Sequence, residues 1–395
     1  MDGIDTDARN AYPAPMHKVK EVTVFSIGDS RKLQSWSNVP FFFTETLIAK
    51  GVRVNRIDIN RTIVGKVLNK TIWRAFNKIN RNTYYDYSRS LFHHLLLRLK
   101  IKSALTRHPS AEVNIFLTFS ASSAGLDDRP TVLFCDWTYD HHFRYFEEKP
   151  PNAAELASMA REDRQIEGAD LVLVLFPGIA AYMKGRYRNP NIFYLGNVVN
   201  TVAEVSGDEI LQRKAGSFEI LFVGGKKYLE GARRLIETYQ SLKARYPQLV
   251  LNIVGMTAAD FALLPSGVRC HGYLDKDDPA QRNRYYALLM GSKVLVNTTP
   301  KWGAFSATLE AMHLYTPIII TPYAEFVETF GRDISFGHYC DLLSVDELAS
   351  KIVDVLECRS YELMCVRAHD AVKGFTWDAY MEKVLDKLDT LLVRS

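Results

Sequence analysis

Two series of short apolar runs, each followed by a polar loop and a helix-compatible segment, constrain the fold of this chain most strongly. The first run spans residues 22–28 and ends at Gly28. Residues 40–50 are compatible with a helix that Gly51 can cap, and residues 52–59 contain a second apolar run. Strand, loop, helix and strand in this order predict the start of a parallel α/β sheet.

Four further strands complete the first series. They are predicted at Val113–Phe119, Thr131–Cys135, Leu171–Leu175 and Ile192–Leu195, with a helix over Asn152–Glu167. Residues 197–216 contain few long apolar runs, so they are predicted to be a linker.

The second series starts after this linker and repeats the same order of elements. Strands are predicted at Ile220–Val223, Val250–Val254, Val268–His271, Val294–Val296 and Ile318–Ile320, and helices at Ala232–Tyr246, Pro279–Met290 and Ser306–Tyr315. Ser344 and Glu347 have the spacing of a capping box and predict another helix that ends near Glu357. In two such doubly wound units, ligands bind at the carboxyl ends of the strands, and the best cleft lies between the units.

A length of 395 residues also favours two domains. No apolar run approaches the roughly 20 residues that span a bilayer. The N-terminal segment, which includes Asp2, Asp5 and Asp7, does not resemble a secretory signal. The five cysteines are scattered without paired metal-ligand spacing. We therefore expect a reduced, cytoplasmic protein without a metal site.

Positive charge is concentrated in one segment. Residues 61–107 contain eleven Lys and Arg residues and a single acid, Asp86, although the whole chain has a net charge of only +4. Aromatic side chains are interleaved with these cations, and the apolar residues within 72–79 and 92–99 are spaced to fall on helix faces. A local positive charge indicates a local anionic partner.

Three interpretations fit this basic segment. An anionic membrane surface fits because amphipathic helices bury apolar faces in lipid while their cations meet the headgroups. Nucleic acid fits because aromatic side chains stack on bases, although we do not expect it. A helix pair docked on the sheet with a solvated basic face is the third. We favour the membrane or a lipid-linked acceptor, and hence peripheral association with the inner face of the membrane.

Gly224, Gly225, Lys226 and Lys227 lie between a predicted strand and a predicted helix. Glycines let the backbone approach a ligand closely, and a helix start offers unpaired N–H groups and the positive end of the helix dipole. The two lysines add point charges that suit a diphosphate. A tight turn with solvated lysines is the alternative.

A second candidate site runs from Trp302 to Glu310. Small residues at positions 303, 304, 306 and 307 open a predicted helix, whose start again suits an oxyanion of a phosphate. Glu310 lies about one turn into that helix, where its carboxylate can accept hydrogen bonds from vicinal hydroxyls such as a ribose diol. Its apolar neighbours predict a half-buried carboxylate, which is unusual without a partner. An exposed helix glutamate is the alternative.

Together these segments resemble family 4 of the glycosyltransferases, which have the GT-B fold. In the second half of the chain the matching motifs are Ile220–Gly225, Glu230–Gly231, Leu235–Tyr239, Leu251–Gly255, His271–Tyr273, Thr308–Met312 and Pro317–Ile319. Each motif alone is weak, and the resemblance rests on their order and spacing over nearly the whole chain.

The first half and the C-terminus carry the rest of the resemblance. Residues 36–41 resemble an acceptor-side loop, and residues 136–138 resemble a site motif that follows a strand. Residues 196–200 resemble the interdomain hinge of the family. Residues 375–380 resemble the start of its last helix, which crosses back onto the N-terminal domain.

The resemblance implies two Rossmann-like domains that face each other across a cleft. The acceptor domain would comprise residues 1–198 with the returning helix 375–395, and the donor domain residues 199–374. The implied reaction is a retaining transfer of a sugar from a nucleotide diphosphate-sugar to a glycan, either lipid-linked or a cell-surface polysaccharide, with no metal ion or other cofactor. The implied donor contacts are Gly224, Gly225, Lys226, Lys227, Tyr273, Trp302, Phe305, Ser306, Ala307, Thr308 and Glu310, with Glu310 on the ribose.

The acceptor side needs polar groups from the other domain. Ser37 and Asn38 lie in the acceptor-like loop, and Asp136 and His141 follow the strand that ends at Cys135. Because such sheets place functional residues at the carboxyl ends of their strands, Asp136 and His141 are candidate catalytic residues together with Glu310. We expect His142 in the same loop. A histidine at such a position is more often an exposed polar side chain without a role in the site.

The sequence departs from the family in two places. Trp302 stands where the family has the first of two glutamates, eight positions before Glu310. Gly225 and Glu230 stand where the phosphate loop usually carries Arg and Lys, so Lys226 and Lys227 are expected to contact the diphosphate. Two other functions stay open: a sugar-nucleotide-binding protein with little or no activity, and a nucleotide-sugar epimerase of the same fold, which would need no acceptor surface.

Overall fold

The computed structural model describes residues 17–60, 71, 87–147, 149–203, 206–301, 305–340 and 344–394. The strands in these ranges form two six-stranded sheets, and all neighbouring strands are parallel. The first sheet consists of β1 (Glu21–Ser26), β2 (Arg53–Asp58), β3 (Val113–Phe116), β4 (Thr131–Cys135), β5 (Leu171–Val174) and β6 (Ile192–Tyr194). Its spatial order is β2-β1-β3-β4-β5-β6.

The helices of this half follow its strands in the chain. They are α1 (Val39–Ala49), α2 (Leu91–Arg107), α3 (Tyr139–Phe146), α4 (Ala153–Glu167) and α5 (Pro177–Arg186). Side chains cap three of them at the N-terminus: Ser90 for α2, Thr138 for α3 and Asn152 for α4. Each accepts a hydrogen bond from a backbone N–H of the first helical turn, which has no partner within the helix.

The second sheet consists of β7 (Glu219–Val223), β8 (Val250–Val254), β9 (Val268–Cys270), β10 (Val294–Asn297), β11 (Ile318–Ile320) and β12 (Gly337–Tyr339), in the spatial order β12-β11-β10-β7-β8-β9. Its helices are α6 (Gly207–Ala215), α7 (Leu229–Lys243), α8 (Pro279–Gly291), α9 (Ser306–His313), α10 (Ala324–Phe330), α11 (Val345–Leu356) and α12 (Tyr361–Val372). The last helix, α13, spans Trp377–Arg394.

Helix α13 crosses back onto the first sheet, as the family resemblance implied. It packs against α1, where the indole of Trp377 stacks on the ring of Phe42 at 6.0 Å and contacts Phe43 at 6.3 Å. Trp377 Nε1 also donates a hydrogen bond to Asn200 Oδ1 at 2.9 Å. The predicted GT-B architecture of two doubly wound units with a returning helix is therefore confirmed.

Two local predictions were wrong. Residues 207–215 of the predicted linker form α6, whose polar sequence buries only Ile210 and Lys214. Strand β3 ends at Phe116 rather than Phe119, because Thr118 Oγ1 accepts a hydrogen bond from the N–H of Ser120 and turns the chain.

The strand orders place a topological switch point in each sheet. In the first sheet β1 lies between β2 and β3, and in the second β7 lies between β8 and β10. The loops after the two strands at a switch point leave in opposite directions and open a crevice at the carboxyl ends. Loops from both crevices line the site described below.

Direct contacts join the two halves beside this crevice. The backbone N–H of Leu33 donates to Asp277 Oδ1 at 2.6 Å, and Gln34 Nε2 donates to Asp275 Oδ2 at 2.7 Å. The rings of Phe176 and Phe305 lie 5.2 Å apart and connect the apolar cores beneath the two sheets. Among the described residues, no helix is long and apolar enough to cross a membrane.

Candidate active site between the two sheets

A strained turn before α1 positions the acceptor-side loop. Trp36, Ser37 and Asn38 all have positive φ, at 42°, 53° and 70°. Each such residue costs about 1–3 kcal/mol unless the surrounding structure holds it there. The turn directs Trp36 Nε1 onto Asp136 Oδ2 at 3.0 Å, and the N–H of Trp137 donates to the other carboxylate oxygen at 2.8 Å. The predicted residue Asp136 is thereby oriented by both the acceptor-like loop and its own strand end.

The two neighbouring histidines lie in α3 and not in a loop, which corrects the sequence-based expectation. His141 packs between Trp137 and Tyr182, with ring centroids 5.1 and 4.5 Å away. His142 lines the cavities of the cleft. Successive residues of a helix point about 100° apart, and His141 lines none of the described cavities. The structure places His142 there and His141 beside it.

Burial is the main influence on the His142 imidazole and lowers its pKa. The Asp136 carboxylate opposes this shift, while the Lys227 and Arg89 cations act with it. His142 is therefore predominantly a neutral imidazole at neutral pH, with a ring nitrogen that can accept a hydrogen bond.

The glycine loop after β7 is held close to the loop after β8. Gly255 has φ +98°, and a Cβ atom there would lie 2.5 Å from the carbonyl oxygen of Gly224. Gly231 in α7 is equally restricted, since its Cβ would lie 2.5 Å from Thr299 Oγ1. The backbone of Gly224 and Gly225 consequently lies between the ends of neighbouring strands, where a ligand at the switch point would meet it.

The two lysines of this loop have different environments. Lys226 forms an ion pair with Asp260 at 2.6 Å, and this pair and the bonds from Thr257 lower the pKa of Asp260 to about 2. Lys227 points into the cleft, where its Nζ lies 4.7 Å from the ring centroid of Tyr228 and 5.7 Å from that of Phe146. The structure thus separates two residues that the sequence could not distinguish.

The start of α9 faces the same cleft through its backbone and Ser306. Phe305, at the N-cap position, is buried against Phe176 and lines a small cavity of about 50 Å³ together with Ser306. Ser306 Oγ accepts a hydrogen bond from Asn200 Nδ2 at 3.2 Å. Ala307 is half-buried and Thr308 is fully buried. The Phe305 and Thr308 side chains therefore support the helix start, which offers N–H groups to a ligand.

Glu310 is more deeply buried than expected and has a partner. It is 1% exposed, and Lys276 Nζ lies 2.9 Å from its Oε1 and 2.7 Å from its Oε2. The ring of Tyr285 lies beneath the Lys276 ammonium at 4.2 Å. Lys276 was not predicted as a site residue, although a single lysine among Asp275, Asp277 and Asp278 is a signal that the sequence contains.

The remaining predicted residues are dispersed. Ser37 lines the cleft, whereas Asn38 is buried and lines none of the described cavities. Tyr273 is 68% exposed on the loop after β9. Trp302 lies outside the described residues, as does most of the basic segment between residues 61 and 86.

Two adjoining cavities connect the two halves of the chain. One, of about 550 Å³, is lined by Trp36, Ser37, Asp136 and His142 from the first half and by Lys227 from the second. The other, of about 650 Å³, is lined by His142, Phe146, Lys227, Glu230 and the loop Thr299–Lys301. Lys227 and His142 line both cavities, so the candidate donor loop and the candidate acceptor residues share one cleft.

Comparison with known proteins agrees with this architecture. Residues 217–358, which include the glycine loop, Lys276 and Glu310, match the family model described as glycosyl transferases group 1. No curated protein matches the chain. Within the described part of the chain, no group of three or more His, Cys, Asp or Glu side chains is arranged to hold a metal ion.

Solved structures resemble almost the whole chain. Sucrose-phosphate synthase from Thermosynechococcus elongatus has a TM-score of 0.69 at 16% identity, over 95% of this chain and 100% of that one. WaaG, a glycosyltransferase involved in lipopolysaccharide biosynthesis, has a TM-score of 0.65 at 15% identity, over 93% and 99%. HepE from Anabaena, in complex with UDP and glucose, has a TM-score of 0.63 at 14% identity, over 94% and 99%.

At these identities the likeness to solved structures establishes the fold alone. The family model in addition identifies the type of domain that residues 217–358 resemble. The chain therefore has the GT-B fold, and its residues 217–358 match the glycosyl transferases group 1 family, in agreement with the family and the enzyme class predicted from its motifs.

Proposed function

We propose that the protein transfers a sugar, with retention of anomeric configuration, from a nucleotide diphosphate-sugar to a glycan acceptor. The acceptor is a lipid-linked glycan or a growing cell-surface polysaccharide. One observation carries the proposal: Lys227 of the donor-side loop and Asp136 and His142 of the acceptor side line the same cavity. A group transfer needs its donor and acceptor in one such space.

The donor diphosphate is assigned to Lys227 and the start of α9. The Lys227 ammonium faces the cleft, and the first turn of α9 directs unpaired N–H groups and a positive dipole end there. These groups stabilise negative charge on the leaving diphosphate as the bond between the anomeric carbon and the phosphate oxygen breaks. The UDP bound in the HepE structure supports a nucleotide diphosphate as this ligand.

Glu310 is assigned to the ribose hydroxyls of the donor. A carboxylate offers about four lone-pair positions, and the Lys276 ammonium uses one on each oxygen. Ser306 Oγ also donates to Oε1, over a long distance of 3.4 Å. A vicinal diol would replace this long bond at Oε1 and use the acceptor capacity that remains on Oε2. In this arrangement Lys276 fixes the orientation of the carboxylate and neutralises its charge in a buried setting.

The acceptor hydroxyl is assigned to the opposite wall. Asp136, which Trp36 and Trp137 hold in place, orients the acceptor hydroxyl. The neutral imidazole of His142 lies beside it and accepts a hydrogen bond from this hydroxyl. The acceptor oxygen attacks the anomeric carbon from the face that the diphosphate leaves, which retains the configuration. Its proton passes to the His142 imidazole as the bond from the anomeric carbon to the phosphate oxygen breaks. An epimerase would act on one bound sugar and would not need this second wall, so the shared cavity favours transfer.

Helix α2 provides the surface proposed to meet the membrane. Ile101, Ala104 and Leu105 bury one of its faces in the core. The opposite face exposes an apolar stripe, with exposed fractions of 59% for Leu91, 49% for Phe92, 52% for Leu95 and 65% for Leu99. The helix carries four cations and no acid, at Arg98, Lys100, Lys102 and Arg107. An exposed apolar stripe flanked by cations fits an anionic lipid surface better than a purely solvated face does.

The two lysines of the glycine loop give the first test. Lys227→Ala should raise the Kd of a nucleoside diphosphate by about tenfold or more, because a charged hydrogen bond to the phosphates is lost. Lys226→Ala, the matched control, should change it much less because Lys226 is paired with Asp260. Calorimetric titration measures both. Equal effects, or a larger effect at Lys226, would contradict the assignment of the diphosphate to Lys227.

The ribose assignment is tested with a pair of ligands. Glu310→Gln should raise the Kd of a nucleoside diphosphate by about tenfold, because charged hydrogen bonds to its ribose hydroxyls are lost. It should leave the Kd of the 2′,3′-dideoxy analogue unchanged, because that ligand has no diol. Thermal melting checks the fold, since removing one partner of a buried ion pair costs about 3–5 kcal/mol. If both ligands lose affinity equally, Glu310 acts through the fold and not through the ribose.

The membrane assignment is tested on α2. Leu95→Ser combined with Leu99→Ser should reduce binding to vesicles of phosphatidylcholine and phosphatidylglycerol by about tenfold or more, because two exposed leucines no longer enter the lipid. The control, Leu263→Ser with Leu363→Ser, removes exposed leucines from the other half of the chain. Sedimentation with vesicles at low and high salt gives the measurement. Equal binding by both double variants would show that α2 does not contact the membrane.

A further inference from the structure

A fourth cavity, also of about 550 Å³, extends from Asp136 into the first half of the chain, away from the candidate donor loop. It shares Ile27, Thr118, Cys135, Asp136, Trp137 and His142 with the cleft cavity that contains Lys227. A substrate with one end at Asp136 can therefore continue into this space. The inference below rests on the proposed function, because it names the chemistry of the acceptor that would occupy it.

Arg89 forms one wall of this cavity and makes no direct ion pair among the described residues. Its Nη1 donates to Ser120 Oγ at 3.2 Å, and its guanidinium lies 3.4 Å from the centroid of the Tyr139 ring. Its Nε is buried and has no hydrogen-bond partner there. A guanidinium held against a neutral hydroxyl and an aromatic face keeps donor capacity for an anion.

Arg161 lies beside Arg89 and likewise makes no direct ion pair among the described residues. Its Nη2 donates to the backbone carbonyl of Arg89 at 2.6 Å, which is a neutral acceptor. Burial lowers the pKa of Arg161, and the nearby Arg164 and Arg89 cations lower it further. Burial also lowers the pKa of His94, which lines the same cavity, with Arg161 and Arg98 acting in the same direction. Positive charges are thus gathered here at an energetic cost that a bound anion would relieve.

The two carboxylates in the wall already have partners of their own. Glu162 accepts hydrogen bonds from Ser120 Oγ at 2.6 Å and from the N–H of Tyr139 at 2.5 Å, and burial raises its pKa. Asp136 is held by Trp36 and Trp137. Within the described ranges neither carboxylate forms a direct ion pair with Arg89 or Arg161. Arg89 attracts the Glu162 charge across Ser120, so Glu162 offsets the two cations only in part.

We propose that Arg89 and Arg161 bind a phosphate group of a lipid-linked acceptor, with the glycan extending from this phosphate to Asp136. Two guanidiniums on adjacent walls offer several N–H donors to one tetrahedral oxyanion. Helix α2 supplies His93, His94 and Leu97 to the cavity and exposes its apolar stripe on another face. A phosphate held here is therefore close to the surface at which its lipid would enter the membrane.

Binding of inorganic phosphate tests the site without requiring any sugar transfer. The titration is done in the Lys227→Ala background, so that the donor site contributes little. In this background, Arg89→Gln and Arg161→Gln should each raise the Kd of inorganic phosphate by about tenfold, since each removes charged hydrogen bonds. Adding Arg188→Gln, the matched control, removes a cation from the same half of the chain and should have no effect. Equal affinities in all these variants would overturn the anion site.

Vesicles distinguish a lipid phosphate from a soluble one. Phosphatidylcholine vesicles that contain a polyprenyl phosphate should bind the wild-type protein several-fold better than the Arg89→Gln or Arg161→Gln variants. Vesicles with the same charge supplied by phosphatidylglycerol should show no such difference. If the arginines matter for inorganic phosphate and not for polyprenyl phosphate vesicles, the assignment to a lipid-linked acceptor is wrong.

A third variant, Arg161→Lys, distinguishes loss of phosphate binding from loss of the fold. It keeps the positive charge and loses the planar fork of donors, so its affinity for phosphate should lie between those of wild type and Arg161→Gln. A thermal melt of each variant shows whether the chain is folded. Because nucleotide binding at Lys227 is measured separately, failure of this site would leave the donor assignment standing, and failure of the donor assignment would leave this site testable.

Discussion

A buried amide, Asn200, connects the two halves of the site. Its Oδ1 accepts from Trp377 Nε1 of the returning helix, and its Nδ2 donates to Ser306 Oγ at the start of α9. Ser306 Oγ in turn lies 3.4 Å from Glu310 Oε1. One residue of the segment between the sheets thus links the helix that packs on the first sheet to the helix that carries the proposed donor contacts. Together with the contacts Leu33–Asp277, Gln34–Asp275 and Phe176–Phe305, this link fixes the relative position of the two walls of the cleft.

The two sides of the cleft use charge in different ways. On the donor side, Lys226 and Glu310 are neutralised by Asp260 and Lys276, which leaves Lys227 as the cation that faces the cleft from the glycine loop. On the acceptor side, Arg89 and Arg161 contact neutral groups. Ion pairs fix the shape of the first region, whereas the two arginines of the second make no direct ion pair and are offset only in part by Glu162, which is the basis of the proposed preference for anions.

The fold was predictable from the sequence because strands buried in a parallel sheet are continuous apolar runs. The individual residues of the site were harder to predict from the sequence. His141 and His142 differ only in the helical direction in which they point. Helix α3 was not predicted because it is only 8 residues long, although Tyr139, Phe143 and Phe146 have the spacing of one helix face. Lys276 meets Glu310 only through the tertiary fold. The three residues of positive φ at Trp36–Asn38 are not glycines, so no local signal indicated the turn.

The central claim is that the donor binds at the switch point of the second sheet and faces an acceptor on the first. A crystal structure of the protein with a nucleoside diphosphate tests it most directly. We expect phosphate oxygens within hydrogen-bonding distance of Lys227 Nζ and the first backbone N–H groups of α9, with the ribose hydroxyls at Glu310. A diphosphate bound instead at residues 28–30, after β1 of the first sheet, would contradict it.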